Sequence, residues 1–140
     1  GQTFSVTDLQ EAEKKQGVKV QKGDVVLFHT GWTDAMLEKF PEKWGAEIPG
    51  LTPELAQYLA DKEVIAVGSD TYGLDVIPPV NPMEPFQGHV ILLQENGIYI
   101  LEAMNTGPLA KDKTYEFLFV LGRAKVRGAV QMYINPIAIK

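Results

Sequence analysis

GHVILLQENGIYILE, Gly88–Glu102, is the stretch around which the chain is organised. Val90 to Leu93 form an apolar run, and Asn96-Gly97 then breaks it, because both residues tolerate a positive φ and so end a short helix. The following IYIL is β-branched and aromatic and reads as a strand. The spacing predicts a short helix, a turn, and a strand running back. From His89 to Glu95 the helix rises about 9 Å, and from Ile98 to Glu102 the strand returns about 13 Å. That return brings Glu102 near His89. An imidazole beside a carboxylate can hold a hard or borderline metal ion or move a proton; the plainer alternative is that each only caps its element.

The 140 residues suit one domain, and a chain of this length can bury a sizeable core. Hydrophobic content of 45% and charged content of 22% are ordinary for a globular protein. The net charge of -5 and the lack of a basic run argue against a nucleic-acid partner. No apolar stretch approaches the roughly 20 residues of a membrane span. With no cysteine there are no disulfides, thiol nucleophiles or cysteine zinc sites, so the compartment stays open, with the cytoplasm as the default. The two histidines, His29 and His89, cannot build a three-histidine metal site alone. The chain opens at Gly1 without a methionine, which reads as a cut or a tag scar.

Outward from the central stretch, Thr7-Asp8-Leu9-Gln10 has capping-box form and predicts a helix to about Gln16 that stops at Gly17. Val18 and Val20 alternate with lysines, the pattern of an edge strand. Lys22-Gly23-Asp24 is a turn. VVLFH, Val25–His29, is a continuous apolar run and predicts a buried strand, with His29 in or beside the core on a backbone partner. Thr33 or Asp34 caps a short helix through Met36, Leu37 and Phe40 that Pro41 ends, leaving Trp44 in a loop. Trp32 and Trp44 line a pocket or pack in the core. Thr52-Pro53-Glu54 joins a hydroxyl cap, a proline at the first helical position and an acid in the first turn. Leu51, Leu55 and Leu59, with Ala56 and Ala60, give this helix a core-facing stripe to about Lys62. VIAV, Val64–Val67, is a second buried strand, and strand, helix and strand here form a parallel crossover. Gly68-Ser69-Asp70-Thr71 follows a strand end, where open α/β sheets bind ligands; Asp70 orients a ligand there or closes the loop.

Tyr72 to Gln87 carries Pro78, Pro79, Pro82 and Pro85 and is irregular. It is too apolar for a disordered linker, and a binding loop or subunit contact fits it better. Asn105-Thr106-Gly107-Pro108 is a loop, Tyr115–Leu121 a strand, and Pro136–Ile139 a last strand. Arg123, Lys125 and Arg127 alternate on a face that is solvated or meets an acidic ligand. There is no P-loop, GxGxxG, GxSxG or HExxH pattern.

Taken together, GDVVLFHTGW (Gly23–Trp32), PGLTPELAQYLADKEVIAVGSDTYGLD (Pro49–Asp75), HVILLQENGIYILEAMN (His89–Asn105), YEFLFVLGRAKVRG and PIAI resemble, in order, the cyclase-like metal-dependent hydrolases of the bacterial kynurenine formamidase and isatin hydrolase type. The resemblance implies an α/β fold of the swivelling β/β/α type, with a central mixed sheet flanked by helices. It implies hydrolysis of an amide, formamide or lactone bond in a small-molecule substrate, with a divalent ion, zinc or manganese. Its downstream metal ligands fall on His89 and Glu102. Trp32, Asp70 and Thr71, by their place just after strand ends, are the candidate substrate-pocket residues.

The family's upstream segment, His-x-Gly-Thr-His-x-Asp-x-Pro-x-His, carries most of the ligands and the catalytic histidine, and nothing here matches it. The Gly-Ser pair that often follows the family's last glycine-rich turn is also absent, where this chain reads GAVQMYINP. The chain therefore resembles the C-terminal portion of such a protein: a single cyclase-like domain over 1–140, an incomplete part of it, with its general base elsewhere, associating with the missing half or with a second copy. The rival expectation is a binding or assembly module that kept the fold and lost the site.

Overall fold

The computed structural model describes residues 1–140. Its centre is the parallel crossover that the sequence pattern implies. Strand β2 (Val25–Phe28), helix α4 (Pro53–Asp61) and strand β4 (Ala66–Ser69) form it, and β5 (Tyr99–Leu101) adds a third parallel strand in the order β2-β4-β5. Val67 lies level with Val26 on one side and Ile100 on the other. Thr52 caps α4 through its side chain, which accepts from Leu55 N at 3.3 Å. The stripe of Leu51, Leu55, Ala56, Leu59 and Ala60 is buried against Val67, Leu74, Leu92 and Ile98. Each enclosed leucine contributes roughly 1.5–3 kcal/mol relative to exposure.

A second, two-stranded parallel pair joins β1 (Thr3–Phe4) to β3 (Gly50–Leu51), and an antiparallel pair joins β6 (Leu118–Val120) to β7 (Ile137–Ile139). Helix α1 (Val6–Gln16) packs beside α4, and short helices α2 (Trp32–Met36), α3 (Pro41–Ala46), α5 (Gln87–His89) and α6 (Gly107–Lys111) fill the connections. Helix α5 passes into a π-helical turn over Val90–Glu95. The fold is α/β with several sheets flanked by helices; the largest sheet is itself all parallel, and the antiparallel pairing stands apart from it. No helix is long and apolar enough to cross a membrane.

Several local readings change. The cap of α1 is Ser5, not Thr7: Ser5 N donates to Asp8 at 2.7 Å and Asp8 N returns to the Ser5 hydroxyl at 3.2 Å, a capping box closed by a carboxylate. Val18 and Val20 form no strand, because the Val20 amide is taken by the Glu13 carboxylate at 2.8 Å. Pro41 starts α3 instead of only ending α2, which places Trp44 in a helix. Strand β2 is half-buried, since it is the edge of its sheet and borders an open groove of about 760 Å³ whose lining includes Phe4, Val26, Phe28, Phe117 and Phe119. His29 is exposed and meets a hydroxyl, Thr106 Oγ1 at 2.8 Å, not a core backbone group.

Candidate functional site

From Tyr72 to Phe86 the chain has no regular structure, yet β3 and the residues before it pin the first half of this segment. Leu51 N donates to Leu74 O at 3.1 Å and Ile77 N to Ile48 O at 3.1 Å. Backbones come this close only because residue 50 is glycine: a Cβ there would lie 2.2 Å from Val76 N. The pinning buries Asp75, which is 6% exposed. An acid so enclosed requires partners, and the start of α5 supplies them. Gly88 N donates to Asp75 Oδ1 at 2.6 Å and His89 N to Oδ2 at 3.1 Å. The His89 ring completes the set, with Nδ1 2.6 Å from the same Oδ2.

The other ring nitrogen faces the end of β5. The helix–turn–strand return brings Glu102 back to His89, with Oε1 3.4 Å from Nε2. Glu102 follows Leu101 at the carboxyl edge of the parallel sheet, where its loop is held by Ala103 N to Thr71 O at 2.8 Å and Met104 N to Ser69 O at 2.9 Å. The site lies in the position that open α/β sheets use for ligands. Phe86, in the left-handed region at φ 59, sets its ring edge-on to the imidazole at 6.0 Å.

An imidazole with a carboxylate on each nitrogen favours a positive charge at the ring. The Asp75 hydrogen bond, and after it the Glu102 one, push His89 up to about 9, against the opposing effect of its partial burial. A metal ion can stand where that proton stands. Two donors on a tetrahedral ion, each about 2.1 Å from it, lie about 3.4 Å apart, which matches the 3.4 Å between His89 Nε2 and Glu102 Oε1. The pair fits as two neighbouring ligands. No group of three or more His, Asp or Glu side chains is arranged to hold an ion.

The remaining residues singled out in the sequence form a neighbouring knot. Asp70 is 5% exposed and spends Oδ1 on Thr30 N at 2.7 Å and Oδ2 on the Thr30 hydroxyl at 3.0 Å. Asp70 thus ties the exits of β2 and β4 together. Thr71 is fully enclosed, with its hydroxyl on Gly73 O and Ser69 Oγ. Trp32 donates its backbone N–H to Thr30 Oγ1 at 3.0 Å, and its ring nitrogen is buried without a partner. None of the three makes a side-chain hydrogen bond to His89 or Glu102. Asp75 is the site residue that sequence reasoning missed. Its one signal was an acid inside the apolar run Leu74–Ile77.

The family model described as "Putative cyclase" matches residues 1–76. Among solved structures, a novel cyclase superposes with a TM-score of 0.83 at 27% identity, covering 99% of this chain and 47% of that one. An isatin hydrolase bound to the product analogue thioisatinate gives 0.76 at 20% identity, covering 98% and 52%. A potential metal-dependent hydrolase with cyclase activity gives 0.61 at 19% identity, covering 98% and 62%. The chain spans about half the length of the first two structures. No curated protein matches it.

Proposed function

The chain belongs to the putative cyclase family, and on that footing we propose that it is part of a metal-dependent hydrolase, with His89 and Glu102 as two ligands of a divalent ion. The observation that carries the reading is the line Asp75–His89–Glu102, with contacts of 2.6 Å and 3.4 Å about one imidazole. The substrate is a small molecule with an amide, formamide or lactone bond, and the ion is zinc or manganese. When bound, such an ion lowers the pKa of a water and polarises the carbonyl under attack.

The chain's own residues hold and aim. Glu102 contributes a carboxylate oxygen and His89 a neutral Nε2. The Phe86 ring stands edge-on beside the imidazole, with centroids 6.0 Å apart. The general base and the remaining ligands lie outside these 140 residues, which form one part of a single cyclase-like domain. The half-open groove along β2 supports this reading, as does the β6–β7 pair, whose Leu118, Val120, Ile137 and Ile139 are 44–63% exposed. Apolar surface of this kind favours association with a further polypeptide, the rest of the domain or a second copy.

Equilibrium dialysis against zinc and against manganese tests the ligand assignment. The wild-type chain retains ion, and His89→Ala and Glu102→Gln each weaken retention by about tenfold or more. Equal retention by wild type and both variants would contradict the assignment and favour the rival reading, a binding module without a metal site.

A further inference from the structure

Building on that reading, we infer that Asp75 is a positioning residue: its carboxylate holds the His89 ring with Nδ1–H donated to it, so that Nε2 is turned to Glu102. Three N–H groups converge on the two Asp75 oxygens, Gly88 N at 2.6 Å, His89 N at 3.1 Å and His89 Nδ1 at 2.6 Å. A carboxylate accepts only, so Nδ1 must carry the hydrogen and Nε2 is the nitrogen left for a ligand role. Capping α5 needs one oxygen. The second oxygen is shared between the backbone and the ring, and this sharing fixes the ring relative to the helix that carries it.

The surrounding backbone is built around this contact. A Cβ at Gly88 would stand 2.6 Å from Asp75 Oδ1, and one at Gly50 would stand 2.2 Å from Val76 N. Two glycines on different elements therefore admit the acid to the ring. Burial removes the competing water, which leaves the three N–H groups as its partners. An amide in the same place has one accepting oxygen and one donating nitrogen. That nitrogen would face either Gly88 N–H or the two N–H groups of His89.

Imidazole-resolved NMR of the nitrogen-labelled chain tests the inference, with His29→Gln used to assign the His89 signals. The metal-free wild type should show a hydrogen-bonded Nδ1–H, shifted far downfield and protected from exchange; the zinc-loaded form should keep it and lose Nε2–H. Asp75→Asn, and Asp75→Ser, which can still cap a backbone amide but is too short for the ring, should lose the protected signal. Both should bind zinc 10–100-fold more weakly by chelator competition, the usual effect of removing such a partner. A purely structural Asp75 would lower the melting temperature and leave zinc affinity and the ring spectrum of the folded variants unchanged, which overturns the inference.

An unprotected Nδ1 in the wild-type chain overturns it as well, even where both variants fail to fold. Absence of zinc binding in the wild-type chain would remove the metal reading alone. The imidazole spectrum of the metal-free chain would still decide the positioning role of Asp75.

Discussion

At His89 the chemistry of the chain is concentrated in one ring. Its Nδ1 faces an acid that is nearly enclosed, and its Nε2 faces one at the sheet edge. With both carboxylates in place the metal-free ring holds its proton to about pH 9, against a usual value of 6.5. A group raised on folding contributes stability that is fully present below its unfolded value and is lost as pH rises through the folded one. Metal-free chain should therefore be most stable, through this group, below about pH 6.5 and lose on the order of 1–2 kcal/mol as pH rises to 9. Urea melts across that range, wild type against His89→Ala, measure it; a difference independent of pH would contradict the account. Under the proposed assignment, zinc should reverse the dependence, since the ion would have to displace the proton and would bind more tightly as pH rises toward 9. Of this site, the sequence pattern brought His89 and Glu102 together through the lengths of one helix and one strand. Asp75 was not legible, because its partners lie 13 and 14 residues away and meet it only through two close backbone approaches.

Elements were legible where local chemistry and long-range packing agree. Helix α4 carries its start signal and its core stripe together, and both survive in the structure. The turn at Asn96-Gly97 also holds, with Gly97 at φ 64 and Ile98 N donating to Leu92 O at 2.8 Å. Readings failed where one side chain redirected the backbone, as Glu13 does at Val20. The π-helical turn at Val90–Glu95 carries no sequence signature of its own; the apolar run gives a helix but not its winding. The join between Asp75 and α5 makes an element-scale prediction. Gly88→Ala sets a methyl carbon 2.6 Å from the Asp75 carboxylate, so the acid or the helix start must move. The expected cost is about 1–3 kcal/mol in chemical denaturation, with zinc affinity lowered alongside. Unchanged stability and affinity would mean that the contact is looser than its geometry states.

For the whole molecule, the parallel sheet sets the site at its carboxyl edge, and the open groove flanks its β2 side. The α/β class was readable from apolar runs that alternate with helix signals, and the cyclase kinship from the resemblance of ordered stretches along the chain. Strand order was not, since hydrophobic pattern gives burial and not neighbours. At this scale the proposed two-ligand site predicts that the 140-residue chain by itself does not turn over formamide, amide or lactone substrates with zinc or manganese present. Metal-dependent hydrolysis by the pure chain, lost in His89→Ala, would show that these residues carry a complete catalytic centre.

A zinc-soaked crystal, measured at wavelengths on either side of the zinc edge, addresses the central assignment most directly. The account predicts an anomalous peak between His89 Nε2 and Glu102 Oε1, about 2.1 Å from each, with Asp75 still on Nδ1. A peak only at other residues, or none at saturating zinc, would contradict it.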